Sequence, residues 1–297
     1  MRAPFFTGSI VPVLVGAAVA WNHTGFMDWP LFFVTLVGAV AAHAGANLAN
    51  DYFDHKLGAD DLNRDYVRPF TGGSRMIQDR VLQPESILRA SGVAFALALA
   101  CGAYLFYVTR GWPIVWLALA GGAMGILYTA PPVKAVYRGF GEIFIGLSFG
   151  VLLVLGTEYV LSGTMTLAAL LASIPVTILI VTILYINEFQ DAPSDEAAKK
   201  LHWVVRLGRR RAARGYAALL ALTYLSIILA AAFRAVPAWM LLGCIPIVMA
   251  VKAVQVAFRH YDDSKDLVPA NAATIGMHLL TGLLITAGFV IDKAIGG

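Results

Sequence analysis

An all-α, polytopic membrane fold with about nine transmembrane helices in a bundle is what this sequence predicts, on three observations. Of its 297 residues, 59% are hydrophobic and only 13% charged, where soluble domains carry about 25% charge. Nine apolar segments of 17–23 residues can be marked along the chain, and about 20 apolar residues cross a bilayer core as a helix. No long polar linker separates them, so a single domain over residues 1–297 is expected.

The segments justify themselves in order. The first, 8–24, follows Arg2 and contains Ala18-Val19-Ala20, a pattern shared with cleaved signal peptides. Eight further segments favour a retained helix instead. These run at about 30–50, 87–109, 113–130, 141–162, 167–187, 213–233, 236–258 and 273–292. Cys101 and Cys244 fall inside the third and eighth and read as small hydrophobes, with no disulfide or zinc pattern.

Long connections follow the even segments, at 51–86, 131–140, 188–212 and 259–272, and short ones follow the odd segments. With the N-terminus in the cytoplasm, 19 of the 22 Lys and Arg lie on the cytoplasmic side. Only Arg110, Arg234 and Lys293 lie outside. The positive-inside rule therefore sets the orientation, with the C-terminus outside, in the cell (inner) membrane if the source is prokaryotic. The net charge of +4 then reflects topology and excludes a nucleic-acid partner. The basic run Arg206 to Arg214 is a topology anchor at the lipid headgroups. Acidic residues crowd the same face, so the chemistry-bearing groups are cytoplasmic.

The second segment runs into HAGANLANDYFDHKLGADD. As a helix it places His43, Asn47, Asn50 and Asp54 on one stripe, with Asp51 beside Asp54. Two carboxylates and two amides at a membrane rim can hold Mg²⁺ and, through it, a substrate phosphate. The plain alternative is a solvated helix end. The sixth segment ends in YINEFQDAPSD, with Asn187, Asp191 and Asp195 at steps of four. Pro193 complicates a continuous helix there, the alternative being a new short helix capped by Asp191 with Pro193 in its first turn; either way both carboxylates stay near the rim. Both segments place an Asn one turn before an Asp, a weak internal repeat that would make the two acidic clusters face each other. Facing clusters would repel a bare diphosphate and bind it with Mg²⁺ between them.

Arg68, Arg75, Lys134 and Lys200 are the cations at hand. Tyr128-Thr129-Ala130-Pro131-Pro132-Val133-Lys134 is a stiff turn aiming Lys134, and Gly72-Gly73-Ser74-Arg75 allows a close backbone approach over the site.

NDYFDHKLGAD, GGSR, YTAPPVK, INEFQD and VVRLG together resemble the UbiA superfamily of intramembrane aromatic prenyltransferases, over nearly the whole chain. Within it the two acidic motifs are most similar to 1,4-dihydroxy-2-naphthoate prenyltransferases of menaquinone synthesis. The resemblance implies Mg²⁺-dependent transfer of a polyprenyl group from its diphosphate to an aromatic acceptor, with loss of the acceptor carboxylate as CO₂. It implies Asn47, Asn50, Asp51 and Asp54 in the first metal–diphosphate motif and Asp191 and Asp195 in the second, with Lys134 and Lys200 on diphosphate. Gly58 stands where the family often has a third Asp, and Asp60 is the nearest substitute ligand. Lys199 stands where Gly is usual, and Gln190 and Pro193 are departures too.

Tyr52, Phe53, Tyr128 and Tyr185 are candidate cation-stabilising rings, with Tyr128 also a diphosphate contact. Asp54, Asp60, the diphosphate and His43 remain as bases. Hydroxybenzoate, homogentisate, chlorophyllide, haem and glycerol phosphate are the alternative acceptors. The rival from another class is an ion-coupled transporter, which would place its charges at mid-membrane rather than at one rim.

Overall fold

The computed structural model describes residues 3–58, 66–67 and 69–296. Asp60 and Arg68, both expected at the site, lie outside the described residues. Among the described residues every regular element is helical. The helices are α1 (Thr7–Thr24), α2 (Trp29–Lys56), α3 (Pro84–Thr109) and α4 (Trp112–Leu127). Next come α5 (Gly141–Ser162), α6 (Leu167–Ala197), the short α7 (Trp203–Leu207), α8 (Arg209–Ala232), α9 (Ala238–His260) and α10 (Val268–Gly296).

Seven of these, α2, α3, α5, α6, α8, α9 and α10, are long and apolar enough to cross a membrane. The other two expected segments are also helical, α1 with 18 residues and α4 with 16. Large apolar side chains such as Phe33, Leu99, Trp116 and Val248 stay exposed. Hydrocarbon tails, not water, suit such a surface, and helices suit it because each satisfies its own backbone.

Local chemistry sets the ends. Asp28 accepts from Leu31 N at 3.0 Å to start α2, with Pro30 in the first turn. Thr166 caps α6 through Ala169 N, and the buried Glu158 accepts from the Thr166 backbone and hydroxyl at 2.8 and 2.6 Å. Pro193 does not break α6: the helix is continuous from Leu167 to Ala197, so Asp191 lies inside it and starts no new helix. The proline removes one donor, which a helix packed on several neighbours tolerates.

Packing puts α1 and α6 at the centre. One core joins α1, α6, α8, α9 and α10 through Val11, Ile186, Tyr216 and Met277; a second joins α1 to α5 through Val13, Ala39, Leu105 and Val160. Small residues allow the approach. A Cβ at Gly16 of α1 would lie 2.5 Å from the Val154 carbonyl of α5, and one at Gly282 of α10 would strike Val11. Midway along α5, Leu147–Leu152 widens to a π-helical turn. Such turns recur at functional sites, and this one turns Ser148 and Phe149 toward the cavity described next.

Candidate active site between the acidic helices

A cavity of about 210 Å³ lies among α2, α4, α5 and α6. Asn47, Asn50, Asp51 and Asp54 line it from α2, and Asn187, Asp191 and Asp195 from α6. Tyr128 and Lys200 complete the expected residues on its wall. The unbroken helices explain this grouping, since residues three and four apart share a face.

The closest approach of the two clusters is through one lysine. Lys200 Nζ donates to Asp54 Oδ2 at 3.1 Å and lies 3.8 Å from Asp195 Oδ2. Burial works against the ammonium charge, but Asp195 and Asp54 outweigh it and hold the Lys200 pKa well above its ordinary value. Asp54 is further held by Asn50 Nδ2 at 3.1 Å and Tyr137 OH at 3.1 Å. Asn50 also donates to Thr129 Oγ1 at 2.6 Å, which ties the YTAPPVK turn to the first motif. Burial and the neighbouring Asp54 charge push the Tyr137 phenol upward, so it stays a donor.

The glycine pair covers the rim. Gly72 and Gly73 have φ of 74° and 71°, a left-handed backbone that glycine adopts without strain. The following Ser74 N donates to Asp51 Oδ1 at 3.2 Å, and Gly73 and Ser74 line the cavity.

Two expected cations stand elsewhere. Arg75 stacks 4.3 Å over the Tyr66 ring, and Lys134 Nζ lies 5.8 Å from the Tyr137 ring centroid; neither lines the cavity. Of the expected aromatic rings only Tyr128 lines it. Tyr185 is buried against Phe189 and Trp203, and Tyr52 packs on Phe53. Asn187 accepts from Asn271 Nδ2 at 2.7 Å, a tether from α10 that leaves it on the wall. His43 hydrogen-bonds Ser9 Oγ through Nδ1 at 3.0 Å and packs between Phe6 and Phe149.

Sequence reasoning missed Thr129, Tyr137, Glu142, Glu188 and His202. Glu188 sat inside the INEFQD motif, and Glu142 is an acid opening an apolar helix, which was the available signal. His202 lies between two carboxylates: Nδ1 is 3.4 Å from Glu188 Oε2, and Nε2 is 3.2 Å from Asp195 Oδ2. Burial disfavours its charge, but Glu188 and Asp195 outweigh burial and raise its pKa to about 10.

A second cavity of about 590 Å³ extends among α2, α3, α4 and α5, with a lining that is nearly all apolar. His43, Ala46, Gly125, Ser148 and Phe149 line both, so the chamber with the acidic residues adjoins the apolar one.

Comparison with known proteins adds to this geometry. A family model described as the UbiA prenyltransferase family matches residues 9–281. A 1,4-dihydroxy-2-naphthoate octaprenyltransferase from Bacillus subtilis is 26% identical over 291 residues, which is 98% of this chain and 91% of the relative. Its namesake from Mycobacterium tuberculosis is 32% identical over 282 residues, 94% and 91% of the two chains. The solved structure of a UbiA homolog from Archaeoglobus fulgidus bound to DMAPP and Mg²⁺ superposes with a TM-score of 0.65. It covers 98% of this chain and 96% of that one at 16% identity, a likeness of fold.

Proposed function

The chain belongs to the UbiA prenyltransferase family, and from that premise we propose that this integral membrane prenyltransferase transfers a polyprenyl group from polyprenyl diphosphate to 1,4-dihydroxy-2-naphthoate, with decarboxylation, in menaquinone biosynthesis. The observation that carries the reading is the convergence at Lys200. Carboxylates from two motifs 141 positions apart, Asp54 and Asp195, come within 3.1 and 3.8 Å of one ammonium on the wall of a cavity. The acceptor proposed is the one for which the relatives from Bacillus subtilis and Mycobacterium tuberculosis are named.

The donor set fits a hard divalent cation. Asp51, Asp54, Asp191 and Asp195 offer carboxylate oxygens, and Asn47, Asn50 and Asn187 offer amides, all lining the cavity from α2 and α6. These four aspartates would hold Mg²⁺, which would supply positive charge to offset that of the leaving diphosphate. Asp60, outside the described residues, belongs to the same proposed ligand set.

The chain's own residues do the rest. Lys200 turns from Asp54 to the diphosphate and supplies a fixed positive charge as the C1–oxygen bond breaks. Tyr128 and Asn50 orient the leaving group, and the Gly73–Ser74 backbone shields the rim from water. Tyr128 and Phe149 present π faces to the allylic cation that remains. The tail lies in the 590 Å³ apolar chamber. The naphthoate ring carbon then bonds to C1, its carboxylate leaves as CO₂, and the ring regains aromaticity. Lys134 and Arg75, off the cavity wall, act in substrate approach.

The proposed topology has nine spans, with the N-terminus and the acidic rim in the cytoplasm. A panel of aromatic acceptors with one polyprenyl diphosphate, read by product mass, tests the acceptor. A prenylated naphthoquinol with release of CO₂ is expected. Product from hydroxybenzoate or homogentisate and none from the naphthoate would move the chain to another acceptor.

A further inference from the structure

The Asp195 carboxylate meets Lys200 on one side and, on the other, a buried cluster that the proposed reaction does not use. Glu142 and His202 are fully buried and Glu188 is 5% exposed. Their ligating atoms all lie within 4.8 Å of one another. Glu142 Oε2 and both Glu188 oxygens make no hydrogen bond. Buried carboxylate oxygens are costly without a polar neighbour. His202 is that neighbour for two carboxylates together, 3.4 Å from Glu188 and 3.2 Å from Asp195, with Nδ1 also accepting from Val205 N.

The turn that carries His202 is stitched in place. Leu201 N donates to Tyr137 O at 3.1 Å, and Trp203 N donates to Glu142 Oε1 at 2.6 Å. Trp203 Nε1 donates to Gly139 O at 2.9 Å, and Arg206 to Arg138 O at 2.9 Å. The same stretch holds Lys200, and the turn it pairs with holds Tyr137, so two of the three side chains that hold Asp54 ride on these paired turns. Asp195, by contrast, sits in the last turn of α6, two residues before the helix ends. Helix ends are where side-chain and backbone freedom is greatest. A contact from outside the helix is what settles the direction of that carboxylate.

We propose that His202, backed by Glu188 and by the turn that Glu142 anchors, is a positioning residue that aims Asp195 and Lys200 into the diphosphate site. The proposal rests on the reading of the cavity as a metal–diphosphate site. Groups that orient a metal-binding carboxylate without touching the metal typically change affinity by about 10–100-fold.

The test uses full-length protein in lipid nanodiscs, with Mn²⁺ and inorganic pyrophosphate as probes and binding read by electron paramagnetic resonance. His202→Leu should weaken Mn²⁺–pyrophosphate binding by about 10-fold or more. It should raise KM for the prenyl diphosphate similarly and leave acceptor KM near wild type, while Tm falls because buried carboxylates lose their polar neighbour. His202→Gln, which keeps a donor for Asp195, should recover most of the affinity. Wild-type Mn²⁺ affinity in a folded His202→Leu protein would overturn the proposal. So would an equal loss in acceptor KM that Gln does not rescue, or a stoichiometric transition metal lost in Glu142→Gln, which would make His202 a ligand. If His202→Leu does not fold, Glu188→Gln decides by the same binding measurement. A wild-type protein that binds the probes but transfers no prenyl group overturns the functional reading alone.

Discussion

Lys200 stands between Asp54 and Asp195 at a spot where removing its charge leaves two buried anions side by side. Its side chain is 14% exposed and Asp54 only 5%, so solvent does little to relieve them. Breaking a buried pair by deleting one partner typically costs about 3–5 kcal/mol. Lys200→Met should therefore lower Tm clearly in metal-free buffer. Added Mg²⁺ should raise Tm more in the variant than in wild type, because a ligand stabilises what the missing lysine no longer does. A thermal scan with and without Mg²⁺ reads both effects, and an equal Mg²⁺ shift in the two proteins would contradict this account of the site. At this scale the two acidic motifs were legible in the sequence, because amides and carboxylates at helical spacing have few uses at a membrane rim. Tyr137 and His202 were not, since each lies on a turn whose partners come from segments more than 50 residues away or from across a helix end. Lys134 and Arg75 were placed by charge alone, and charge does not say which way a side chain leans.

Helix packing positions these groups, and its tolerances are narrow where glycine meets backbone. A Cβ at Gly16 would approach Val154 O to 2.5 Å and Thr157 Cβ to 2.8 Å, and neither the carbonyl nor its helix can yield cheaply. Overpacking of this kind costs about 1–3 kcal/mol. Gly16→Val should reduce Tm and detergent resistance, with α1 pushed from α5; wild-type thermal stability would show that the two helices are less closely packed than described. The helices themselves were legible from apolar length, whereas the caps that start them, such as Asp28 and Thr166, were not read from it. Pro193 misled because local rules treat proline as a stop, while α6 is gripped on several sides and runs through it. The π turn at Leu147–Leu152 left no sequence signal, since it depends on how Gly146 and Gly150 seat against Thr177 of α6.

Over the whole molecule, a chamber lined by the acidic motifs adjoins an apolar one between helices. That arrangement suits a substrate with a diphosphate head and a hydrocarbon tail. Gly122 lines the apolar chamber, and nothing lies within 4 Å of a Cβ built there. Gly122→Phe should fill that space, raising KM for a long polyprenyl diphosphate several-fold while geranyl diphosphate is used nearly as before. An equal effect on both chain lengths would remove the tail from this chamber. The family and the all-helical class were readable from one end of the sequence to the other; the chamber was not, because it is built from Gly, Ala and Leu positions that look like ordinary packing. The central claim is that the two acidic motifs form one site for diphosphate departure. Its most direct test is Mg²⁺-dependent pyrophosphate release by wild type, Asp51→Asn and Asp191→Asn with a polyprenyl diphosphate and 1,4-dihydroxy-2-naphthoate. The account predicts Mg²⁺-dependent release by wild type and a loss of about 100-fold or more in each variant; wild-type rates in either folded variant would contradict it.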